Sequence, residues 1–161
     1  MINVLKKTFQ TIFICFVLGF LITVNSQQMV TAAWSSHLRE NTPICTASGQ
    51  QSLLQIVSDG AGGAIIAWED TRNVHFDIYA QRIDAHGNVL WKKDGISICS
   101  APENQNRPRI VSDGAGGAII TWHDIRSGIS NSDIYAQRID ADGNVQWTQD
   151  GIPICTEANA Q

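Results

Sequence analysis

The eleven residues IVSDGAGGAII at positions 56–66 recur unchanged at positions 110–120. Downstream of each copy, the nine residues DIYAQRIDA at 77–85 recur at 133–141. The loop that joins the two repeated stretches is two residues longer in the second copy and carries the only change in length. Agreement over such lengths marks a duplicated structural unit of about 54 residues, a period that is typical of proteins built as repeat arrays.

Each unit is predicted to contain four short strands. In the second unit, the first strand lies around Ile110 and the second covers 118–122, with a glycine-rich turn between them. The third strand covers 134–139, where β-forming residues alternate in part with polar ones. The fourth is predicted at 144–147, after a four-residue turn that begins with Asp and ends with Gly. The sequence therefore predicts an all-β fold.

Two tandem four-stranded antiparallel units are expected to resemble blades of a β-propeller, because a lone small sheet cannot bury both of its faces. The near-continuous apolar run of the second strand fits a position between neighbouring blades. A β-sandwich or an open solenoid is the alternative, since the length of a repeat does not fix how the units stack. Closed propellers use about four to eight blades. Two complete units thus predict an incomplete propeller, which is either a truncated member of a longer family or part of a ring that several copies close.

The N-terminal segment, residues 1–26, is predicted to be a secretory signal peptide. Two lysines precede an apolar run from Thr11 to Val24 that is too short for a comfortable membrane span. Cleavage is expected after Ser26, with Ala32 as the alternative site, and a retained N-terminal anchor is the competing interpretation. The predicted location is secreted, periplasmic or at the cell surface.

These features divide the chain into five predicted segments. They are the signal peptide, an N-terminal orphan strand with its linker, repeat unit 1, repeat unit 2 and the start of a third unit, at residues 1–26, 27–42, 43–96, 97–152 and 153–161. The orphan strand is placed at 29–34, because Trp34 precedes Cys45 much as Trp91 precedes Cys99.

The charge of the chain limits its partners. The 161 residues carry a formal net charge of -4, which argues against a basic surface for nucleic acid and against attraction to an anionic membrane once the signal peptide is removed. The expected partner is an unknown protein or glycan, and self-association of several copies would complete a ring.

One motif runs through nearly all of the chain from about Pro43 onward. In the second unit it comprises a glycine-rich turn, a Trp-x-Asp-x-Arg segment, the DIYAQRIDA stretch and a following Trp, at residues 113–120, 122–126, 133–141 and 147. It resembles tandem repeats of large secreted or surface proteins of bacteria, which are taken to be propeller-like. The resemblance implies a fold and a location rather than an activity. A looser likeness to quinoprotein-type propellers has different spacing, so Trp91 and Trp147 are interpreted as packing anchors between blades and no quinone cofactor is expected.

The charged residues that occur in both units are interpreted as turn caps and charge pairs. They are Asp70, Arg72, Asp77, Arg82 and Asp84, with their counterparts Asp124, Arg126, Asp133, Arg138 and Asp140. Glycoside hydrolysis would need a distinct acid and base, and two identical sets offer neither. No catalytic residue is therefore expected.

Metal ligands are not expected either. Asp140, Asp142 and Asn144 place oxygen atoms at alternate positions, which is a weak calcium pattern that the first unit loses at His86. The histidines show no zinc-binding spacing. No metal and no cofactor are predicted.

Three cysteines outside the signal peptide occupy the same place in successive units, at Cys45, Cys99 and Cys155. Equivalent positions on stacked sheets lie about 10 Å apart, beyond the Cα separation of about 7 Å that a disulfide tolerates. They are predicted to be thiols that pack as small hydrophobic groups.

The candidate binding residues lie in the loop between the second and third strands, which differs between the units. Loops on rigid scaffolds commonly carry binding, although plain length drift in an exposed loop is the simpler explanation of the difference. The candidates are Arg72, His75, Phe76, Arg126, Ser127 and Asn131.

The sequence thus predicts an exported, noncatalytic repeat protein that acts as a binding or scaffold module. The competing interpretation is a fragment of a secreted propeller hydrolase such as a sialidase-like glycosidase. Sialidase propellers carry Ser-x-Asp-x-Gly-x-Thr-Trp turns, and the turns that follow Ser58 and Ser112 do not reproduce them.

Overall fold

A computed structural model describes residues 41–128 and 132–157. The described residues all lie in one compact unit. The predicted signal peptide and the predicted orphan strand at 29–34 lie outside the described residues.

The described part of the chain is all-β, as predicted. Its eight strands are β1 (Gln51–Ser58), β2 (Ala64–Asp70), β3 (Asp77–Ile83), β4 (Ile96–Cys99), β5 (Gln105–Ser112), β6 (Ala118–Asp124), β7 (Asp133–Ile139) and β8 (Ile152–Cys155). They form two antiparallel sheets, with the orders β1-β2-β3-β4 and β5-β6-β7-β8. The same registers recur in both, so that the duplicated sequence produces two blade-like sheets that do not close into a ring.

The fourth strand was predicted in the wrong place. Residues 144–147 contribute only an isolated bridge between Val145 and Ile139. The strand that pairs with β7 is β8, and its counterpart in the first sheet is β4. Pro153, predicted to open a third unit, lies within β8 and hence in the second sheet.

The turn between the first two strands is held by one carboxylate in each sheet. In the first sheet, Asp59 Oδ1 accepts hydrogen bonds from the backbone N–H groups of Ala61 and Gly63, each at 2.8 Å. A Cβ atom at Gly63 would lie only 2.1 Å from the carbonyl oxygen of Ile83. The glycine is therefore required because the turn passes directly over β3.

The two sheets stack through one apolar layer. β2 is buried along almost its whole length, with Ile65 and Ala67 in this layer and Ile66 and Trp68 in a cluster on the opposite side. We call the side of the first sheet that contacts the second its forward face, and the contacting side of the second sheet its rear face. Because alternate residues of a strand share a face, the equivalent residues define the same two faces on the other sheet. The layer contains Ile65, Ala67, Ile78, Ala80 and Ile98 from the forward face, and Ala118, Ile120, Trp122 and Ile139 from the rear face.

The two outer faces differ in how they are covered. The rear face of the first sheet carries a second apolar cluster that includes Ile66 and Trp68, and Ile44 and Cys45 pack against it. The forward face of the second sheet is more open, since Ile154 is 58% exposed whereas its counterpart Ile98 is 0% exposed. Stacking therefore buries the inner pair of faces more completely than the outer pair.

Candidate functional site

The first candidate feature is an ion pair that ends β2. The Arg72 Nη2 atom lies 2.6 Å from Asp70 Oδ2, which also accepts a hydrogen bond from the Trp68 indole at 2.8 Å. The guanidinium lies over the Tyr79 ring at 3.8 Å from its centroid. Burial alone raises the pKa of Asp70, but the hydrogen bonds from Arg72 and Trp68 outweigh it and hold that pKa below its usual value. The stabilisation is present above an unfolded pKa of about 3.9 and is lost as the pH falls through the folded pKa.

The second unit repeats this ion pair. Arg126 Nη2 lies 2.6 Å from Asp124 Oδ2, Trp122 donates to the same oxygen at 2.9 Å, and the guanidinium lies over the Tyr135 ring at 3.9 Å. The predicted charge pairing of these residues is confirmed. Arg72 and Arg126, predicted as binding residues, are therefore engaged within the protein at the base of their loops.

Each ion pair also holds the adjoining segment of the chain. Arg126 Nη2 donates to Cys99 Sγ at 3.2 Å and to the Asp150 carbonyl oxygen at 2.8 Å. Arg72 makes the equivalent contacts, to Cys45 Sγ at 3.3 Å and to the Asp94 carbonyl oxygen at 2.7 Å. One guanidinium thus ties together the end of β6 and the end of the preceding sheet's β4.

The cysteines serve these packing contacts. Cys99 is fully buried, and burial raises the pKa of its thiol to about 12. Cys45 and Cys155 are half-buried, and no disulfide joins the three residues to one another. The predicted thiol state is confirmed, and the Cys99 thiol is a poor nucleophile because the thiolate is the reactive form.

A second contact links the two sheets directly. Arg82 Nη2 pairs with Asp59 Oδ2 at 2.8 Å, and its Nη1 donates to the Ala141 carbonyl oxygen at 2.9 Å. The Trp91 indole N–H donates to the same carbonyl oxygen at 3.0 Å. Trp91 is buried and anchors the sheets to each other as predicted, whereas Trp147 is half-buried.

The oxygen atoms that formed the weak calcium pattern are used in a turn. Asp140 Oδ1 accepts backbone hydrogen bonds from Asp142 and Asn144 at 3.0 and 2.9 Å. Asp84 accepts the equivalent bonds in the first unit. Within residues 41–128 and 132–157, no group of three or more His, Cys, Asp or Glu residues is arranged to hold a metal ion.

The variable loop makes an equivalent hydrogen bond in both units, and the sequence pattern does not predict it. Asn73 Nδ2 donates to Asp77 Oδ2 at 2.6 Å, and Ser127 Oγ donates to Asp133 Oδ2 at 3.0 Å. Two different side chains thus donate to equivalent buried carboxylates, Asp77 at the start of β3 and Asp133 at the start of β7. Burial raises the pKa of Asp77 above its usual value.

The tip of the variable loop in the first unit is partly exposed to solvent. Val74 is 91% exposed, while His75 and Phe76 are half-buried. The backbone of Phe76 bridges to the second sheet, because its N–H donates to Asn104 Oδ1 at 3.0 Å and its carbonyl oxygen accepts from the Gln105 N–H at 2.7 Å. Asn131 lies outside the described residues. The loop is therefore fixed at its base and exposes Val74 at its tip, next to the half-buried His75.

A cleft of about 260 Å³ lies between the segment before β1 and the connection from β3 to β4. Thr46 donates from its backbone N–H and from Oγ1 to Asp94 Oδ1 at 2.7 and 3.0 Å across it. The cleft is smaller than the usual volume of a small-molecule site, about 300–1,000 Å³. Its lining residues come from separate segments, so sequence spacing gives no signal for it: Pro43, Ile44, Thr46, Val89, Trp91, Lys93 and Asp94.

No family model, no curated protein and no solved structure matches this chain. Among the described residues, no helix is long and apolar enough to cross a membrane.

Proposed function

We propose that this protein is an exported, noncatalytic repeat module that binds a protein or glycan at the cell surface or outside the cell. The observation that carries the proposal is the division of labour between repeated and variable residues. The repeated arginines and aspartates make ion pairs and turn contacts inside the fold. The loop between the second and third strands differs between the units and is exposed at its tip.

The binding surface is the end of the sheets where these loops lie. In the first sheet the loop base is fixed on one side by the Asp70–Arg72 ion pair and on the other by the Asn73–Asp77 hydrogen bond. A rigid base reduces the conformational entropy that a loop loses on binding. Val74, His75 and Phe76 offer an apolar group, an imidazole and an aromatic ring, a mixture suited to a sugar ring or a peptide.

Binding can be tested with the labelled chain on a printed array of surface glycans and on intact cells. We expect a Val74→Ser/His75→Ser variant to lose at least about tenfold in affinity, equal to about 1.4 kcal/mol. Leu90→Ser is the matched control, because Leu90 is an exposed apolar residue in a different connection. Unchanged binding by the loop variant would contradict the assignment of the loop.

The noncatalytic part of the proposal has a separate test. A panel of chromogenic glycosides should show no turnover by the purified chain. Turnover that a single aspartate substitution abolishes would instead establish the sialidase-like alternative.

Export is tested by fractionating the producing cells and sequencing the mature N-terminus. The expected product begins at Gln27 and lies outside the cytoplasm. An uncleaved chain in the cytoplasm would contradict this part of the proposal.

A further inference from the structure

We propose that the protein associates head to tail with further copies of itself. In this arrangement the forward face of the second sheet of one copy packs on the rear face of the first sheet of the next. The geometry is that of the two sheets within a single chain. The inference is independent of the loop partner proposed above.

The internal interface shows which residues such packing uses. Ile98 on the forward face of the first sheet is completely buried. Ile110 lies opposite Ile120 on the rear face of the second sheet and packs into the same apolar layer. These two positions mark the two halves of the contact.

Both positions have an exposed counterpart on the outer faces. Ile154 is the counterpart of Ile98 and is 58% exposed, and Ile56 is the counterpart of Ile110 and is 63% exposed. Where the two sheets meet, Ile98 is buried and Ile110 is half-buried, whereas their counterparts are open to solvent where no other sheet of the described chain contacts them. The forward face of the second sheet thus exposes Ile154, and the rear face of the first sheet exposes Ile56 beside a buried cluster that packs against Ile44 and Cys45.

The polar contacts of the internal interface can be repeated too. Arg82 and the Trp91 indole both donate to the carbonyl oxygen of Ala141 in the other sheet. Their counterparts Arg138 and Trp147 have the same side chains, and the Arg138 side chain is 40% exposed where that of Arg82 is 15% exposed. The acceptor in the next copy would be the carbonyl oxygen of Ala85, which is the counterpart of Ala141 in the repeat.

Residues 43–46 of the same chain cover part of the rear face of the first sheet. Ile44 and Cys45 pack on the rear face of the first sheet, where a neighbouring copy would place the end of its β8. The four residues 43–46 read Pro-Ile-Cys-Thr, and residues 153–156 have the same sequence. The segment at 97–100, which fills this position inside the chain, differs from both at two residues. Residues 43–46 therefore occupy the position that the end of β8 of a neighbour would take. In head-to-tail packing, β8 of the neighbour replaces this segment.

The exchange conserves the contacts of the segment. Thr46 donates from its N–H and its hydroxyl to Asp94 Oδ1, and Arg72 donates to Cys45 Sγ. Residues 155 and 156 of a neighbour carry the same thiol, N–H and hydroxyl. Little is lost in the exchange, and the contact between the two larger faces is gained. An interface between two different faces leaves one of each open, so that association continues into a ring or an open chain.

The test is sedimentation velocity on the purified chain over a range of concentrations. We expect the wild type to form dimers and larger species as the concentration rises. Ile154→Asp and Ile56→Asp should each reduce association by at least about tenfold, because each places a charge on one of the two faces. Val74→Asp is the matched control and should associate like the wild type, because it changes an exposed apolar residue of a loop.

A mixture of the two face variants decides whether the contact is head to tail. Ile154→Asp retains an intact rear face and Ile56→Asp retains an intact forward face, so that the mixture should form 1:1 dimers and nothing larger. Because both residues are mostly exposed in the monomer, circular dichroism should match that of the wild type, and Tm should fall by no more than about 5 °C. A wild type that stays monomeric at its highest soluble concentration overturns the proposal. So does a monomeric mixture, or a variant with one damaged face that associates as well as the wild type.

The exchange step has its own variant. Ile44→Asp weakens the resident segment and leaves Ile56 and Ile154 unchanged, so that association should become tighter. Weaker association of this variant would show that residues 43–46 stay in place, and would overturn the exchange.

Discussion

The sharpest prediction compares one substitution at two equivalent positions, Ile98→Ala and Ile154→Ala. Both residues lie at the third position of the last strand of a sheet, in β4 and β8. Ile98 is 0% exposed in the layer between the sheets, and Ile154 is 58% exposed. Any difference between the two variants therefore reports the stacking of the sheets and not the chemistry of the substitution.

The magnitude follows from these exposures. Removing a buried isoleucine side chain to the β-carbon costs about 2–5 kcal/mol, because the lost transfer free energy is joined by the cost of a cavity. We expect about 3 kcal/mol for Ile98→Ala, since the site is closed on both sides. Ile154 retains less than half of that burial and leaves no closed cavity, so that its loss should be about 1 kcal/mol or less.

The assay is urea denaturation followed by tryptophan fluorescence, at a protein concentration low enough to keep the chain monomeric. A change in the midpoint without a change in slope identifies a change in the free energy of unfolding. Should Ile98→Ala fail to fold, Ile→Val at both positions gives the same comparison, with about 1 kcal/mol expected at residue 98. Equal losses at the two positions would refute the stacking of the sheets.

Further predictions concern the ion pairs, the buried carboxylate and the thiols. Asp124→Ala should lower the free energy of unfolding by about 3 kcal/mol, because it leaves the largely buried Arg126 guanidinium unpaired. An unchanged free energy of unfolding would show that this ion pair does not stabilise the fold. Burial raises the pKa of Asp77, so the wild type loses stability as the pH rises from the unfolded pKa of this residue towards its folded pKa. Asp77→Asn should therefore raise Tm at pH 7 but not at pH 3, and a lower Tm at pH 7 would contradict this. Native Cys45 should react with a thiol reagent faster than Cys99, whose pKa is about 12; equal rates would show that Cys99 is accessible.

Sequence reasoning succeeded where local chemistry decides the structure. The turn led by Asp140 follows from an aspartate that bonds nearby backbone N–H groups, which needs only a few adjacent residues. The turn after Asp59 follows from glycines that adopt positive φ. The identity of the repeats then implied identical sheets, and the registers of the two sheets agree.

The position of the fourth strand could not be found in the same way. Residues 144–147 combine a β-branched residue and a tryptophan after a turn, and so satisfied the strand pattern. The true strand β8 contains Pro153, which cannot donate a hydrogen bond and reads as a break. The proline is accommodated because β8 is the edge strand of its sheet. A turn with positive φ at Asp150 and Gly151 leads into it, and this depends on packing over Trp122 rather than on local pattern.

The candidate binding residues divide for a similar reason. Arg72 and Arg126 occur in a loop by sequence, but each reaches back to an aspartate two residues earlier and to a cysteine of another segment. The second contact joins residues 27 positions apart, which spacing alone does not reveal. His75 carries no such contact in the described structure, and its binding role stays a prediction.

The claim on which the account depends is that the duplicated units stack face to face, and hydrogen exchange at the indole N–H groups tests it most directly. Trp68 and Trp122 donate within their own sheets, Trp91 donates across the interface to Ala141, and Trp147 has no acceptor for its indole among the described residues. In NMR spectra of the Ile154→Asp variant, kept monomeric by that charge, the indoles of Trp68, Trp91 and Trp122 should exchange slowly and that of Trp147 quickly. Exchange at Trp91 as fast as at Trp147 would show that the two sheets do not pack together in solution.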